Sequence, residues 1–253
     1  MARIFAVANQ KGGVGKTSTA INLAASLAAA ERRVLVVDMD PQANASSGFG
    51  WSRDRVDRHV YTALMGEPAG PLVLRTELAN LDLLAAHSDL VGAEIELVPM
   101  PEREMRLRDA LAPLLADYEF VFVDCPPSLG LLTLNALVAA DEVLIPLQCE
   151  YFALEGLARL LDTIERVRNQ LNPVLVVGGV LLCMYDPRLN LTHQVEREVR
   201  EHLDGKVFRT VIPRNVRISE APSFGKPILL YDIDSRGCQS YLKAAQELLA
   251  RVA

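Results

Sequence analysis

No two cysteines in this 253-residue chain stand at CxxC spacing, and none of Cys125, Cys149, Cys183 and Cys238 forms a Cys/His cluster at zinc intervals. A zinc module is therefore not expected, and reduced thiols in a cytosolic protein are. No apolar run reaches about 18 residues, so no membrane-spanning helix is expected. The opening MARIFAVANQ lacks the long apolar core of a secretion signal. Basic residues are not in excess: 26 Lys and Arg against 32 Asp and Glu leave a net charge of −6. That excludes a wholly basic nucleic-acid binder, though not a local basic face. Linkers rich in Ser, Gly and Pro, low-complexity tracts and solenoid repeats are also missing. One domain spanning residues 1–253 is the expectation.

What is present is half apolar, enough to bury a full α/β core. Residues 3–8 (RIFAVA) predict a strand running into glycines. Residues 16–30 predict a helix apolar on nearly every face, hence buried. Residues 32–38 (RRVLVVD) predict the next strand, completing a βαβ unit. Further strands are expected at 120–124, 142–147, 174–184 and 207–212. Helices are expected near 128–140, 153–170 and 190–203, with an amphipathic helix at the end. Leu81, Leu83 and Leu84 suggest a strand, and residues 101–116 a helix. Continuous rather than alternating apolar strands require cover on both faces. The expected fold is a single-domain α/β P-loop NTPase, a mostly parallel twisted sheet with helices on both sides.

The chemistry concentrates at Lys11-Gly12-Gly13-Val14-Gly15-Lys16-Thr17-Ser18. The pattern GxxxxGK[ST] is met at Gly15, Lys16 and Thr17, but Gln10 stands at its first glycine and Lys11 is a second lysine. Gly12, Gly13 and Gly15 let backbone N–H groups turn toward phosphate oxygens, and the helix that follows adds its positive end. Lys16 suits the β- and γ-phosphates, the Thr17 hydroxyl suits Mg²⁺, and Ser18 lies near the α-phosphate. ATP with Mg²⁺ is the expected ligand.

Two strands end in acids. Asp124 is expected to hold Mg²⁺ through water, a helix-capping Asp being the other reading. Asp40 is a candidate to position or activate the attacking water, a turn-forming Asp before Pro41 being its alternative. Asp38 is a second candidate for the metal's surroundings. No motif surrounds His59, His87, His193 or His202.

With these residues in hand, the chain resembles the ParA (Soj) chromosome- and plasmid-partitioning ATPases. The resemblance is carried by ANQKGGVGKTSTAINLA, VVDMDPQANAS, DCPPSLGLLTLNAL, EYFALEGL, MYDPRLNLT and VIPRNVRISEAPSFGKPI. KGGVGKT alone marks only the wider superfamily, which includes MinD-type and nitrogenase-iron-protein-type ATPases. The resemblance implies that Lys11 reaches the nucleotide of a second subunit, so that ATP drives a sandwich dimer with Gly12 where the two loops approach. It implies that Asp40 is needed for hydrolysis, that intrinsic turnover is weak, and that the ATP-bound dimer binds DNA without sequence preference. A ParB (Spo0J)-like partner then stimulates hydrolysis and releases it, in the cytoplasm on the nucleoid. Ser18 replaces a frequent Thr, and Ala43 a frequent Gly in the loop carrying Asp40. No N-terminal helix-turn-helix extension precedes the core, as in the short chromosomal type.

The resemblance also suggests that Met184, Pro213 and Asn215 frame the adenine, a loop-stabilising Asn215 being an equally fair reading. For DNA, Lys206, Arg209, Arg214, Arg217 and Lys226 cluster near the C-terminal third, with Arg188 and Arg159 as candidates to join them. Arg217, with Arg188 and Lys226, is assigned to phosphate contact. A MinD-like membrane cycle, or an ATPase that positions a cargo other than DNA, is the rival reading. The chain does not distinguish cargoes, because that choice lies in the partner. The membrane cycle makes a demand on the sequence. It needs a free apolar face on the last helix, where packing onto the sheet is expected instead.

Overall fold

The computed structural model describes residues 2–52 and 56–252. Seven strands form one sheet: β1 (Arg3–Val7), β2 (Val34–Asp38), β3 (Leu74–Arg75), β4 (Leu81–Leu84), β5 (Phe120–Asp124), β6 (Glu142–Gln148) and β7 (Val176–Cys183). Their spatial order is β3-β4-β2-β5-β1-β6-β7, and every pairing is parallel except β3 with β4.

Side chains along each strand alternate between two cores. Ile4, Ala6, Leu35, Val37, Val121 and Val123 enter one. Phe5, Val7, Val34, Val36, Phe120 and Phe122 enter the other, where Phe5 and Phe122 stack at 5.3 Å. This is why the strands read as unbroken apolar runs. The second core is covered by α1 (Lys16–Ala29) and the C-terminal helix α11 (Arg236–Val252). Tyr241, Ala244, Ala245 and Leu248 of α11 are buried there, so the last helix keeps its apolar face in the core on this side of the sheet, chiefly against α1. The first core is covered by α5 (Arg106–Leu111), α6 (Leu131–Ala139) and α7 (Ala153–Gln170). The remaining helices are α2 (Asn44–Gly48), α3 (Val60–Leu64), α4 (Leu90–Glu96), α8 (Asn190–His202), α9 (Val216–Glu220) and α10 (Ile228–Tyr231).

Two expectations need correction. Residues 207–212 do not form a strand. Single bridges join Val180 to Val207 and Tyr185 to Pro213, but between them the Arg209 and Thr210 N–H groups donate to the Glu247 carboxylate at 2.8 and 2.9 Å. Those donors are lost to any ladder. The helix expected over 101–116 shrinks to Arg106–Leu111 and a following 3-10 turn, Ala112–Leu114. Glu102 has φ of 51°, and Pro113 removes an N–H just beyond the α-helix.

β1 lies between β5 and β6. The chain leaves β1 for β2 on one side of it and crosses from β5 to β6 over it, so the sheet reverses direction there. Ligands of such sheets bind outside the carboxyl ends of the strands at this reversal.

Candidate active site

The loop between β1 and α1 is built to expose backbone. Gly13 and Gly15 have φ of 76° and 95°, in the left-handed region. A Cβ at Gly12 or Gly13 would meet nothing within 4 Å, so this rim faces open space. Asn9 anchors the loop: its Nδ2 donates to the Pro146 carbonyl at 2.8 Å, and its Oδ1 accepts from Lys11 N at 3.0 Å.

The two lysines part company. Lys16 is buried, and its Nζ donates to the Lys11 carbonyl at 3.0 Å. Burial lowers its pKa, opposed by the charges of Asp124, Cys125 and Asp40. Lys11 points away from this centre and pairs with Glu150, with about two-fifths of each side chain exposed.

A cavity of about 360 Å³ is lined by Gly12, Gly13, Gly15, Lys16, Thr17 and Ser18, with Asp40 facing them. A second, of about 230 Å³, shares Gly13, Gly15 and Ser18 and adds Met184, Pro213 and Asn215. One trough thus leads from the phosphate loop to an alcove of mixed polarity, where Arg214 and Ser219 stand beside Ile212 and Ile218. Met184 holds φ of 50° there, a strained value for a non-glycine residue. Asn215 lines the alcove while its Oδ1 accepts from Arg217 N at 2.9 Å and caps α9, the loop-stabilising role.

Asp38 and Asp124 are register partners on β2 and β5, and both are fully buried. Asp38 is saturated: Oδ1 accepts from Asp40 N at 3.1 Å, and Oδ2 from Ser46 N and Oγ at 2.8 and 2.7 Å. Burial nonetheless pushes its carboxyl up to about 6, against those hydrogen bonds. Neither oxygen of Asp124 has a hydrogen-bond partner of normal length, although the Thr17 hydroxyl lies near enough to act on the carboxylate. Burial, then the Asp38 charge, raises its pKa well above the usual range. A buried carboxylate with two empty oxygens beside a threonine hydroxyl fits a hard divalent cation. Asp40 is nearly buried, and its Oδ1 accepts from Gln42 N at 2.9 Å, which fixes the carboxylate over the cavity.

The three assigned DNA residues are already paired. Arg188 meets Asp186 through two bonds of 2.8 and 2.6 Å, Arg217 meets Glu220 at 3.0 Å and Asp232 at 3.3 Å, and Lys226 meets Glu77 at 3.4 Å. Arg159 pairs with Glu155 within α7. Arg217 sits on α9 and Lys226 just after the adjoining turn, while the Tyr185–Pro213 bridge draws the Arg188 turn toward the same segment.

Sequence reasoning overlooked Asn9, Ser46 and Glu150. Ser46 joins Asp38 to the Ala86 N–H, which it accepts at 2.9 Å. Nothing in its NASS surroundings marks it as more than a helix start.

A glycine loop opening a buried helix, with one lysine inside and a buried strand-end carboxylate close by, has the layout of a P-loop nucleoside triphosphatase. The AAA-domain family matches residues 2–177. The chain is 60% identical over 250 residues to the chromosome partitioning protein ParA of Myxococcus xanthus, covering 98% of this chain and 88% of that one. It is 53% identical over 250 residues to the chromosome-partitioning ATPase Soj of Thermus thermophilus, covering 99% and 96%. Among solved structures, cobyrinic acid a,c-diamide synthase from Mycobacterium smegmatis with bound ADP and magnesium superposes with a TM-score of 0.87 at 38% identity, covering 100% and 96%. The chain belongs to the ParA/Soj family of partitioning ATPases.

Proposed function

We propose that this chain binds ATP with Mg²⁺, closes into an ATP-sandwich dimer, and rides DNA without sequence preference until a ParB-like partner stimulates hydrolysis. The observation that carries the reading is the division between the lysines. Lys16 is committed to its own cavity, whereas Lys11 lies outside it on an exposed ion pair that a second phosphate-bearing subunit would readily replace. Exposed pairs contribute little in water, so the exchange is inexpensive.

In this reading the loop amides and Lys16 bind the β- and γ-phosphates, and Thr17 and Asp124 hold the ion. The ion neutralises charge on the phosphates. Asp40 orients the attacking water. Asp38 positions Asp40 through the Asp40 N–H and the Ser46 clamp rather than touching the metal. Met184, Pro213 and Asn215 flank the base. Arg188, Arg217 and Lys226 exchange their carboxylates for DNA phosphates, a weak patch that dimerisation doubles. Intrinsic turnover is slow, since each subunit waits for Lys11 of the other and for the partner.

Light scattering of the Asp40→Ala protein tests the dimer. The expected result is a monomer with ADP–Mg²⁺ and a dimer with ATP–Mg²⁺. Adding Lys11→Ala returns the monomer while ATP binding persists. A dimer that forms equally with ADP, or that survives Lys11→Ala, contradicts the reading. The membrane-cycling alternative finds no support, because the apolar face of α11 is used against α1. Liposome flotation with ATP should leave the protein in the unbound fraction.

A further inference from the structure

Away from the nucleotide trough, three side chains converge outside the strings that carry the family resemblance. His59 immediately precedes α3, while His87 and Asp89 lie between β4 and α4. The two segments are joined by Val60 N donating to the Ala85 carbonyl at 2.8 Å. One ligand atom from each residue lies within 4.8 Å of the other two. We propose that His59, His87 and Asp89 form a binding site for a divalent d-block cation of the zinc type.

The first argument is an orphaned donor atom. His59 is only 7% exposed, and its Nδ1 is sealed from solvent with no hydrogen-bond partner. Buried polar atoms are nearly always paired, and an unpaired one calls for an explanation such as an absent ion. The second argument is the partner set. His87 Nδ1 stands 3.2 Å from Asp89 Oδ2 and accepts from Asp89 N at 3.3 Å, contacts that an ion would replace, and the Asp89 side chain is 53% exposed, so the cluster meets solvent on that side. The third is electrostatic. The Asp89 carboxylate stands within the cluster and draws a cation to it. Asp89, Glu67 and Asp57 supply negative potential around His59.

Two imidazole nitrogens and one carboxylate suit zinc, cobalt or nickel. Mg²⁺ and Ca²⁺ prefer oxygen ligands throughout. Bonds of about 2.0–2.1 Å place tetrahedral ligands about 3.4 Å apart, so the cluster must contract. The two rings stack at 4.6 Å with 13° between their planes, a geometry in which their lone pairs run parallel. A shared ion therefore requires the half-buried His87 ring to swing out of the stack, while burial holds His59 in place. Water completes the coordination. The residue next to His87, Ala86, donates to Ser46 Oγ, so the ion would brace the edge of the sheet to which the Asp38 clamp is tied.

The test titrates nucleotide-free full-length protein with Zn²⁺ by calorimetry in excess Mg²⁺, and with Co²⁺ by visible absorption. The expected result is one ion per chain, with Co²⁺ bands of low coordination number. His87→Ala and Asp89→Asn, whose side chains reach the surface, should each weaken binding by at least about tenfold with the fold intact by circular dichroism. His193→Ala, at a separate surface histidine, should leave it unchanged. Absence of saturable binding, or binding lost in His193→Ala but kept in His87→Ala and Asp89→Asn, would overturn the proposal.

Discussion

The carboxyl ends of β2 and β5 set two aspartates side by side, in register and equally buried, yet their surroundings are opposite. Asp38 spends both oxygens on the loop that carries Asp40. Asp124 spends neither. A strand-end acid can thus be part of the scaffold or a socket for a cation. What decides between them is whether the following loop folds back. After β2, residues 39–46 curl into α2 and deliver Ser46 to Asp38. After β5, Pro126 and Pro127 lack N–H groups and cannot deliver any to Asp124.

The comparison breaks most visibly at Asp124. If this carboxylate is the cation's seat, Asp124→Asn should reduce Mg²⁺-dependent ATP hydrolysis by about 100-fold or more, since a bound metal supplies several kcal/mol of charge stabilisation. Phosphate-release kinetics across Mg²⁺ concentrations would show it, and unchanged hydrolysis would remove Asp124 from the site.

The opposite expectation holds on the Asp38 side. Ser46→Ala deletes a buried donor to a carboxylate and the acceptor of Ala86 N–H, so it should cost about 2–3 kcal/mol of folding stability. Urea unfolding checks this. A cost below about 0.5 kcal/mol would mean that the clamp is not structural.

Proton linkage sharpens the contrast. Both carboxyls are held above their ordinary value of 3.8, Asp38 at about 6 and Asp124 well raised, with burial the main cause in each. The folded chain therefore binds more protons than the unfolded one in that window. The stabilisation is fully present below the unfolded pKa and is lost as pH rises through the folded pKa. The melting temperature of nucleotide-free wild type, relative to Asp124→Asn, should therefore fall as pH rises above the ordinary carboxylate value of 3.8. A difference curve that is flat or rises with pH would contradict the assignment.

The smallest effect concerns the loop after β2, which carries Asp40 and leads to Ser46. Ala43 sits at φ of 53° and ψ of 36°, fully buried, just before α2. A left-handed alanine carries about 1 kcal/mol of strain, so Ala43→Gly should be neutral or stabilising by up to about that amount despite the added chain entropy. Thermal denaturation decides it, and marked destabilisation would mean that the alanine methyl contributes packing that outweighs the strain.

Much of this was legible in the sequence, and for identifiable reasons. β1, α1, β2 and β5 were clear because strands buried on both faces are continuous apolar runs. The glycine loop and Lys16 were clear because phosphate binding constrains residue type at each position. The role of Asp38 was not, since its saturation depends on Ser46 arriving eight residues later, a matter of loop path rather than composition. The strand expected at 207–212 failed for a similar cause, a tertiary carboxylate, Glu247, capturing two backbone donors from 37 and 38 residues away. The exposed basic residues were visible as a cluster. Their pairing with Asp186, Glu220, Asp232 and Glu77 was not, since three of the four pairings depend on how the chain turns and one, with Glu77, on contact across 149 residues.

The most direct measurement is fluorescence anisotropy of non-specific duplex DNA with the Asp40→Ala protein, without nucleotide, with ADP–Mg²⁺ and with ATP–Mg²⁺, at two salt concentrations. The account predicts binding only with ATP–Mg²⁺, weakening steeply with salt because the counterions that binding releases from the phosphates gain less free energy at higher salt, and abolished by Arg217→Glu while ATP binding survives. DNA binding that ignores the nucleotide, or its absence in every state while ATP is bound, would contradict it.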